Sequence, residues 1–126
     1  MVCLETTFLI DLINGDPAAR DKLRSLKDQL ICTTTITVAE VYRGAWDSVN
    51  KEREKSKIQK ILERLKILSF DFMSASVYAE VYCELKPNII KDADMLIASM
   101  AISNGQVLLT RDNDFKRISK LKCDSW

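Results

Sequence analysis

Histidine is absent from the chain. Its absence removes the commonest general base, the commonest nitrogen ligand for a metal and every Ser-His or Cys-His nucleophilic pair. Acid–base chemistry must then rest on carboxylates, lysine, tyrosine or activated water. Glycine is scarce as well: the three present, at positions 15, 44 and 105, form neither a P-loop nor a dinucleotide-binding G-x-G-x-x-G. The four cysteines, Cys3, Cys32, Cys83 and Cys123, include no C-x-x-C pair and no zinc-ligand spacing. Structural zinc and a disulfide framework are both disfavoured, and three of the thiols lie among apolar neighbours where they pack as small hydrophobes. Long apolar runs are missing too. Met95 to Ile102, interrupted by Ser99, falls well short of the ~20 residues a membrane span needs. The apolar N-terminus carries Glu5 and Asp11 and no basic region ahead of it, unlike a secretory signal, so a cytoplasmic protein is expected. The net charge of +1 is not the basic balance of many nucleic-acid binders, so a role on RNA needs a local patch.

What is present suits one α/β domain spanning 1–126. A chain of 126 residues buries roughly two-thirds of its unfolded surface, enough for a hydrophobic core. Val2 to Glu5 reads as a short buried strand. Thr6 or Thr7 can cap a helix whose Phe8, Leu9, Leu12 and Ile13 share a face, and Asn14-Gly15 stops it. Pro17 opens a polar helix to about Lys27, and Leu30 to Thr34 supplies a strand. Thr37-Val-Ala-Glu40 has capping-box form and starts another helix. Asp47 to Glu54 reads as a polar break before an amphipathic helix over Lys55 to Arg64. A strand at Ile67 to Phe70, helices over Ser74 to Lys86 and Lys91 to Ser103, and a strand at Val107 to Thr110 follow. A short helix around Phe115 to Ile118 and a last strand complete the tail. Strands alternating with helices indicate parallel pairing with helices on both faces, and ligands in such sheets sit beyond the carboxyl ends of the strands.

At those ends stand four acids. Glu5 closes the first strand, Asp112 follows the fourth, Glu40 lies in the first turn of a helix after the second, and Asp94 opens another helix. Gathered on one rim they repel one another unless a cation neutralises them, and oxygen ligands without histidine or thiolate favour Mg²⁺ or Mn²⁺. Each has a plainer reading: Glu40 as the return half of a capping box, Asp94 as an acid at a helix N-terminus with Asp92 as its competitor, and Asp112 and Asp114 as turn aspartates. Thr6 and Thr110 offer hydroxyls that could orient carboxylates or water, and Asp11 reads as a solvated surface acid. The charges from Lys51 to Lys60, mixed with Glu52 and Glu54, suit a salt-bridged exposed face. Arg111, Lys116, Arg117, Lys120 and Lys122 cluster near the rim and could hold a phosphate backbone. Trp46, Tyr42, Phe70 and Phe72 are expected in a core or an interface.

Four stretches, taken in order and spacing, carry a resemblance: Leu4-Glu5-Thr6-Thr7-Phe8-Leu9-Ile10-Asp11, Thr37-Val-Ala-Glu40-Val-Tyr-Arg-Gly44, Asp94-Met-Leu-Ile-Ala98 and Leu109-Thr-Arg-Asp112-Asn-Asp-Phe115. Over nearly its whole length the chain resembles the PIN domain, in particular the small VapC-type toxins of toxin–antitoxin pairs. The resemblance implies a three-layer α/β/α sandwich around a mainly parallel sheet of four to five strands. It also implies a Mg²⁺- or Mn²⁺-dependent endoribonuclease, with Glu5, Glu40, Asp94 and Asp112 standing where the family's metal-site acids stand. On that basis the four are the expected catalytic acids, with Glu5, Asp94 and Asp112 on the metal and Glu40 on it directly or through water, while Arg111, Lys116 and Arg117 of the basic cluster are the expected RNA contacts. Thr6, Thr110 and Asp114 are second-rank site residues. The partners implied are RNA, a second copy of the chain and a small antitoxin covering the pocket, with the segment from Asp28 to Arg64 among the candidate contacts. One departure stands out: the family usually has aspartate where this chain has Glu5. Mg²⁺ tolerates little deviation from octahedral geometry, so the alternative expectation is a PIN-like binding protein impaired in turnover that still binds antitoxin or RNA. A receiver or haloacid-dehalogenase domain would want paired acids at the first strand, and Glu5-Thr-Thr lacks them.

Overall fold

The computed structural model describes all 126 residues. Its elements, in chain order, are β1 (Val2–Leu4), α1 (Thr6–Ile13), α2 (Pro17–Ser25), β2 (Ile31–Thr34), α3 (Thr35–Trp46), α4 (Lys51–Leu62), β3 (Lys66–Leu68), α5 (Phe72–Leu85), α6 (Asp92–Ser103), β4 (Val107–Leu109), a 3₁₀ turn (Asn113–Arg117) and β5 (Cys123–Asp124). The five strands form one sheet in the order β3-β2-β1-β4-β5, and every pairing is parallel.

Strand alternation divides the core in two. Val2, Leu4 and Leu109 point to one face and pack with Phe8, Leu9 and Leu12 of α1, Ala19 of α2, Val41 and Ala45 of α3 and Ile58 of α4. Cys3, Cys32, Leu68 and Leu108 point to the other and pack with Val81 and Leu85 of α5, Met95, Ile97, Met100 and Ala101 of α6, and Phe115. A one-residue slip in register would exchange these two sets, so the pairing is fixed by burial on both sides. The result is a three-layer α/β/α sandwich. α6 is apolar nearly all round and buried, as a helix clamped between the sheet and α5 must be. No helix is long and apolar enough to cross a membrane.

The topology decides where chemistry can sit. From β1 the chain moves outward through β2 to β3, then returns to place β4 on the other side of β1. The sheet therefore changes direction between β1 and β4, and the crevice beyond their carboxyl ends is the place where open parallel sheets bind ligands.

Several helix starts differ from the sequence reading. α1 is capped by Glu5, not by Thr6 or Thr7. α3 starts at Thr35 on a cap from Thr34, so Thr37 and Glu40 make no capping box. α4 begins at Lys51 on Asn50, so the expected polar break extends only over residues 47–50. Its first turn is a charged helix whose Glu52–Lys55 and Glu54–Lys57 pairs lie at 3.6 and 3.2 Å, supporting a face that hydrophobic periodicity cannot reveal. α5 starts at Phe72 on an Asp71 cap. Phe72 and Trp46 are not core residues: Phe72 is 97% exposed, and Trp46 lies beneath the ammonium groups of Lys51 and Lys55.

Candidate active site

Glu5 emerges from β1 into the crevice as a buried carboxylate. Its Oε2 accepts from the Thr7 backbone N–H at 3.1 Å, the Thr7 hydroxyl at 2.5 Å and the Thr110 hydroxyl at 3.2 Å. Burial raises its pKa, the Thr7 and Thr110 hydrogen bonds oppose the rise, and the charge of Glu40 adds to it. Thr110, just past β4, also accepts at its hydroxyl oxygen from the Asp112 N–H at 3.0 Å and so ties the two strand ends together. Asp112 is half-buried and caps the 3₁₀ turn by accepting from the Asp114 N–H at 2.9 Å. Asp114 itself is exposed.

Glu40 approaches from the second turn of α3, through Thr6, whose hydroxyl the sequence singles out, and through Thr34 and Thr37, which it does not. Its Oε1 accepts from the Thr6 hydroxyl at 2.6 Å. Thr6 lies 3.1 Å from the Thr37 hydroxyl, and Thr37 takes the Thr34 cap on its backbone N–H at 3.1 Å. Thr6, Thr34 and Thr37 are buried polar groups, so these hydrogen bonds hold Glu40 by a connected chain. The run Thr33-Thr34-Thr35-Ile36-Thr37 was the available signal, since hydroxyls crowded at a strand end must find polar partners.

Asp94 differs from the other three. It is only 7% exposed, yet its carboxylate accepts no hydrogen bond within the protein; no buried side-chain oxygen is left unpartnered, so its oxygens keep an opening to the crevice. Burial, then the charges of Glu5, Asp112 and Glu40, push its pKa up to about 6 against the opposing pull of Lys91. Glu5, Asp112 and Glu40 thus all lie near enough to Asp94 for their charges to act on it. Asp92, its competitor in sequence, is exposed and accepts from the Tyr78 hydroxyl.

As the side chains stand, no three acids or cysteines close into a ready-made cage for an ion. Glu5, Glu40 and Asp112 are each drawn toward local donors, leaving Asp94 without one. The donor chemistry nevertheless fits a hard cation: oxygen ligands only, one carboxylate that opens to the crevice with no partner in the protein, and a repulsion that positive charge would relieve. The cysteines take no part. Cys3 and Cys32 are buried, with Cys32 donating toward the Val2 carbonyl at 3.5 Å, and Cys83 is exposed.

The basic residues divide into two groups. Arg111 and Lys116 line a hollow of about 310 Å³ with Thr110, Asn113, Asp124 and Ser125, next to the acids. Arg111 stacks 4.6 Å from the Trp126 ring, donates to the Trp126 carbonyl at 2.8 Å and lies 3.9 Å from Asp11. Asp11 also accepts from the Trp126 indole at 3.2 Å, so it is a half-buried anchor for the tail and not a solvated acid. Arg117 turns away to the Asn88 carbonyl, and Lys120 pairs with Glu80 at 2.9 Å.

Residues 2–121 match the PIN domain family. The chain is 34% identical to Ribonuclease VapC2 of Rickettsia felis over 98% of its own length and 96% of that protein's. It is 26% identical, over the same shares, to the tRNA(fMet)-specific endonuclease VapC of Shigella flexneri. The crystal structure of VapBC2 from Rickettsia felis bound to a DNA fragment from their promoter contains a chain that superposes with a TM-score of 0.93 at 34% identity, covering 100% of this chain and 99% of that one.

Proposed function

This chain belongs to the PIN-domain family and is an endoribonuclease of the kind that forms the toxin half of a toxin–antitoxin pair, and from that premise we propose that it cuts RNA with Mg²⁺ or Mn²⁺ held by Glu5, Asp94 and Asp112. The observation that carries the reading is Asp94, a largely buried residue whose carboxylate opens to the crevice with no partner in the protein and is raised to about 6 by its burial and three neighbouring acids. A bound divalent cation would activate water and neutralise charge developing on the phosphate.

The remaining work falls to the chain's own residues. Glu40, held by Thr6 at one oxygen and free of protein partners at the other, stands to accept a proton from the attacking water. Lys116 contacts the flanking phosphate backbone, joined by Arg111 as far as its contacts with Trp126 and Asp11 release it; Arg117, occupied with Asn88, has a lesser part. Water adds to phosphorus and the bond to the 3′ oxygen breaks, leaving 5′-phosphate and 3′-hydroxyl ends. Without histidine, proton transfer falls to a carboxylate or to activated water, which suits this hydrolysis. Structured RNA such as tRNA is the first substrate to try, given the activity named for the Shigella flexneri relative.

We take residues 1–126 as one PIN-like domain acting in the cytoplasm with a second copy of itself and an antitoxin. A groove of about 550 Å³ floored by Leu12, Leu23, Ile61 and Leu65 and edged by Lys27 and Arg64 suits an amphipathic antitoxin segment. Cleavage of a mixed tRNA pool by the purified protein, with Mn²⁺ or with a chelator, tests the central reaction. Metal-dependent cuts with 3′-hydroxyl ends, lost in Asp94→Asn, support it. Chelator-resistant cuts, or 2′,3′-cyclic phosphate ends, contradict it.

A further inference from the structure

The longer side chain at position 5 is answered two residues along. Glutamate has one more rotatable bond than aspartate, so a fixed carboxylate costs more side-chain entropy and needs more contacts to hold it. All three hydrogen bonds that Glu5 receives fall on a single oxygen, Oε2. Two of them come from Thr7, through its backbone N–H and its hydroxyl. Oε1 receives none, and since no buried side-chain oxygen lacks a partner, it keeps an accessible face. The cap at the start of α1 is unusual in the same way. Glutamate is not among the favoured N-cap residues, yet Glu5 caps α1 through the Thr7 N–H with the Thr7 hydroxyl alongside.

Resting on the metal-centre reading above, we propose that Thr7 is a positioning residue: with Thr110 it locks Oε2 of Glu5, so that the glutamate presents Oε1 alone to a divalent cation. The lock restores to the longer side chain the fixed direction that an aspartate has by being short. It also makes the residues at positions 5 and 7 a coupled pair. Thr110, already bound to the Asp112 N–H, carries the constraint across to β4.

The test uses Mn²⁺ titration by calorimetry, which needs no turnover. Thr7 is exposed and Thr7→Val keeps its β-branched shape, so the fold should survive. Thr7→Val is expected to weaken Mn²⁺ binding by about ten- to a hundredfold, as loss of a ligand's supporting hydrogen bond commonly does. Thr7→Ser, which keeps the hydroxyl, should retain most of the native affinity. In a Glu5→Asp background the loss from Thr7→Val should shrink, because the pair's interaction energy disappears when either member changes. Native affinity in Thr7→Val, or an equal loss in Thr7→Ser, overturns the lock while binding that is lost in Asp94→Asn leaves the metal centre standing. Native affinity in Asp94→Asn overturns the metal centre and the lock with it.

Discussion

At the scale of the residue, the charge of Asp94 is opposed both by its burial and by three neighbouring acids. Its folded pKa of about 6 stands above the ordinary 3.8. The folded metal-free protein therefore holds a proton that the unfolded chain has released between those values, and this group's contribution to stability is full below about pH 4 and lost as pH rises through about 6. At neutral pH the ionised carboxylate costs up to ~3 kcal/mol, of which the favourable helix N-terminus, ~0.3–1 kcal/mol, is already part. Asp94→Asn should accordingly stabilise the metal-free protein at pH 7.5 by about 1–2 kcal/mol, and the advantage should vanish near pH 4. Urea midpoints at the two pH values check this, and a destabilised variant at pH 7.5 would show that Asp94 is held by contacts other than a cation. Glu5→Asp is a second test at this scale. If Thr7 and Thr110 hold Glu5 in a working position, cleavage changes little; a large gain would mark the native chain as impaired.

At the scale of the element, the threonine-rich junction of β2 and α3 joins folding to the site. Thr34 ends its strand in extended conformation, caps α3 and supports Thr37, which borders Thr6 and through it Glu40. Thr34→Ala should cost about 1–2 kcal/mol, the usual loss for a removed cap with some added for its burial, and should reduce cleavage by loosening Glu40. Chemical denaturation and RNA cleavage on the same samples separate the two effects. Thr37-Val-Ala-Glu40 has the form of a capping box, and that local pattern placed the helix start too late; the cap was settled by the end of a buried strand, which no local pattern records. Asp71 and Asn50 cap their helices ahead of turns, Phe72-Met73 and Lys51-Glu52, that bury no face, so no hydrophobic period marks the start. The positions of Glu5, Asp94 and Asp112 relative to the sheet were legible, because strand ends and helix starts follow from Gly, Pro and hydrophobic period. Thr6 and Thr110 are legible as hydroxyls near the acids, but which carboxylate each one holds is not, since partners such as Thr6 and Glu40 lie 34 residues apart.

At the scale of the molecule, the parallel order β3-β2-β1-β4-β5 is what lets acids from distant segments share one crevice. The fold gathers like charges, and a bound cation should therefore stabilise the whole chain. Mn²⁺ should raise the melting temperature at pH 7.5, and the rise should fade below about pH 6 as protons compete for Asp94. A thermal scan across pH, with Ca²⁺ as a larger and less fitting ion for comparison, reads this directly.

The most direct test of the central claim is calorimetric titration of Mn²⁺ into the native protein, Asp94→Asn and Asp92→Asn at pH 7.5. Binding by the native chain and by Asp92→Asn, with none by Asp94→Asn, is the result expected of a metal centre built on the buried acid. Equal binding by all three, or none by the native chain, would contradict it.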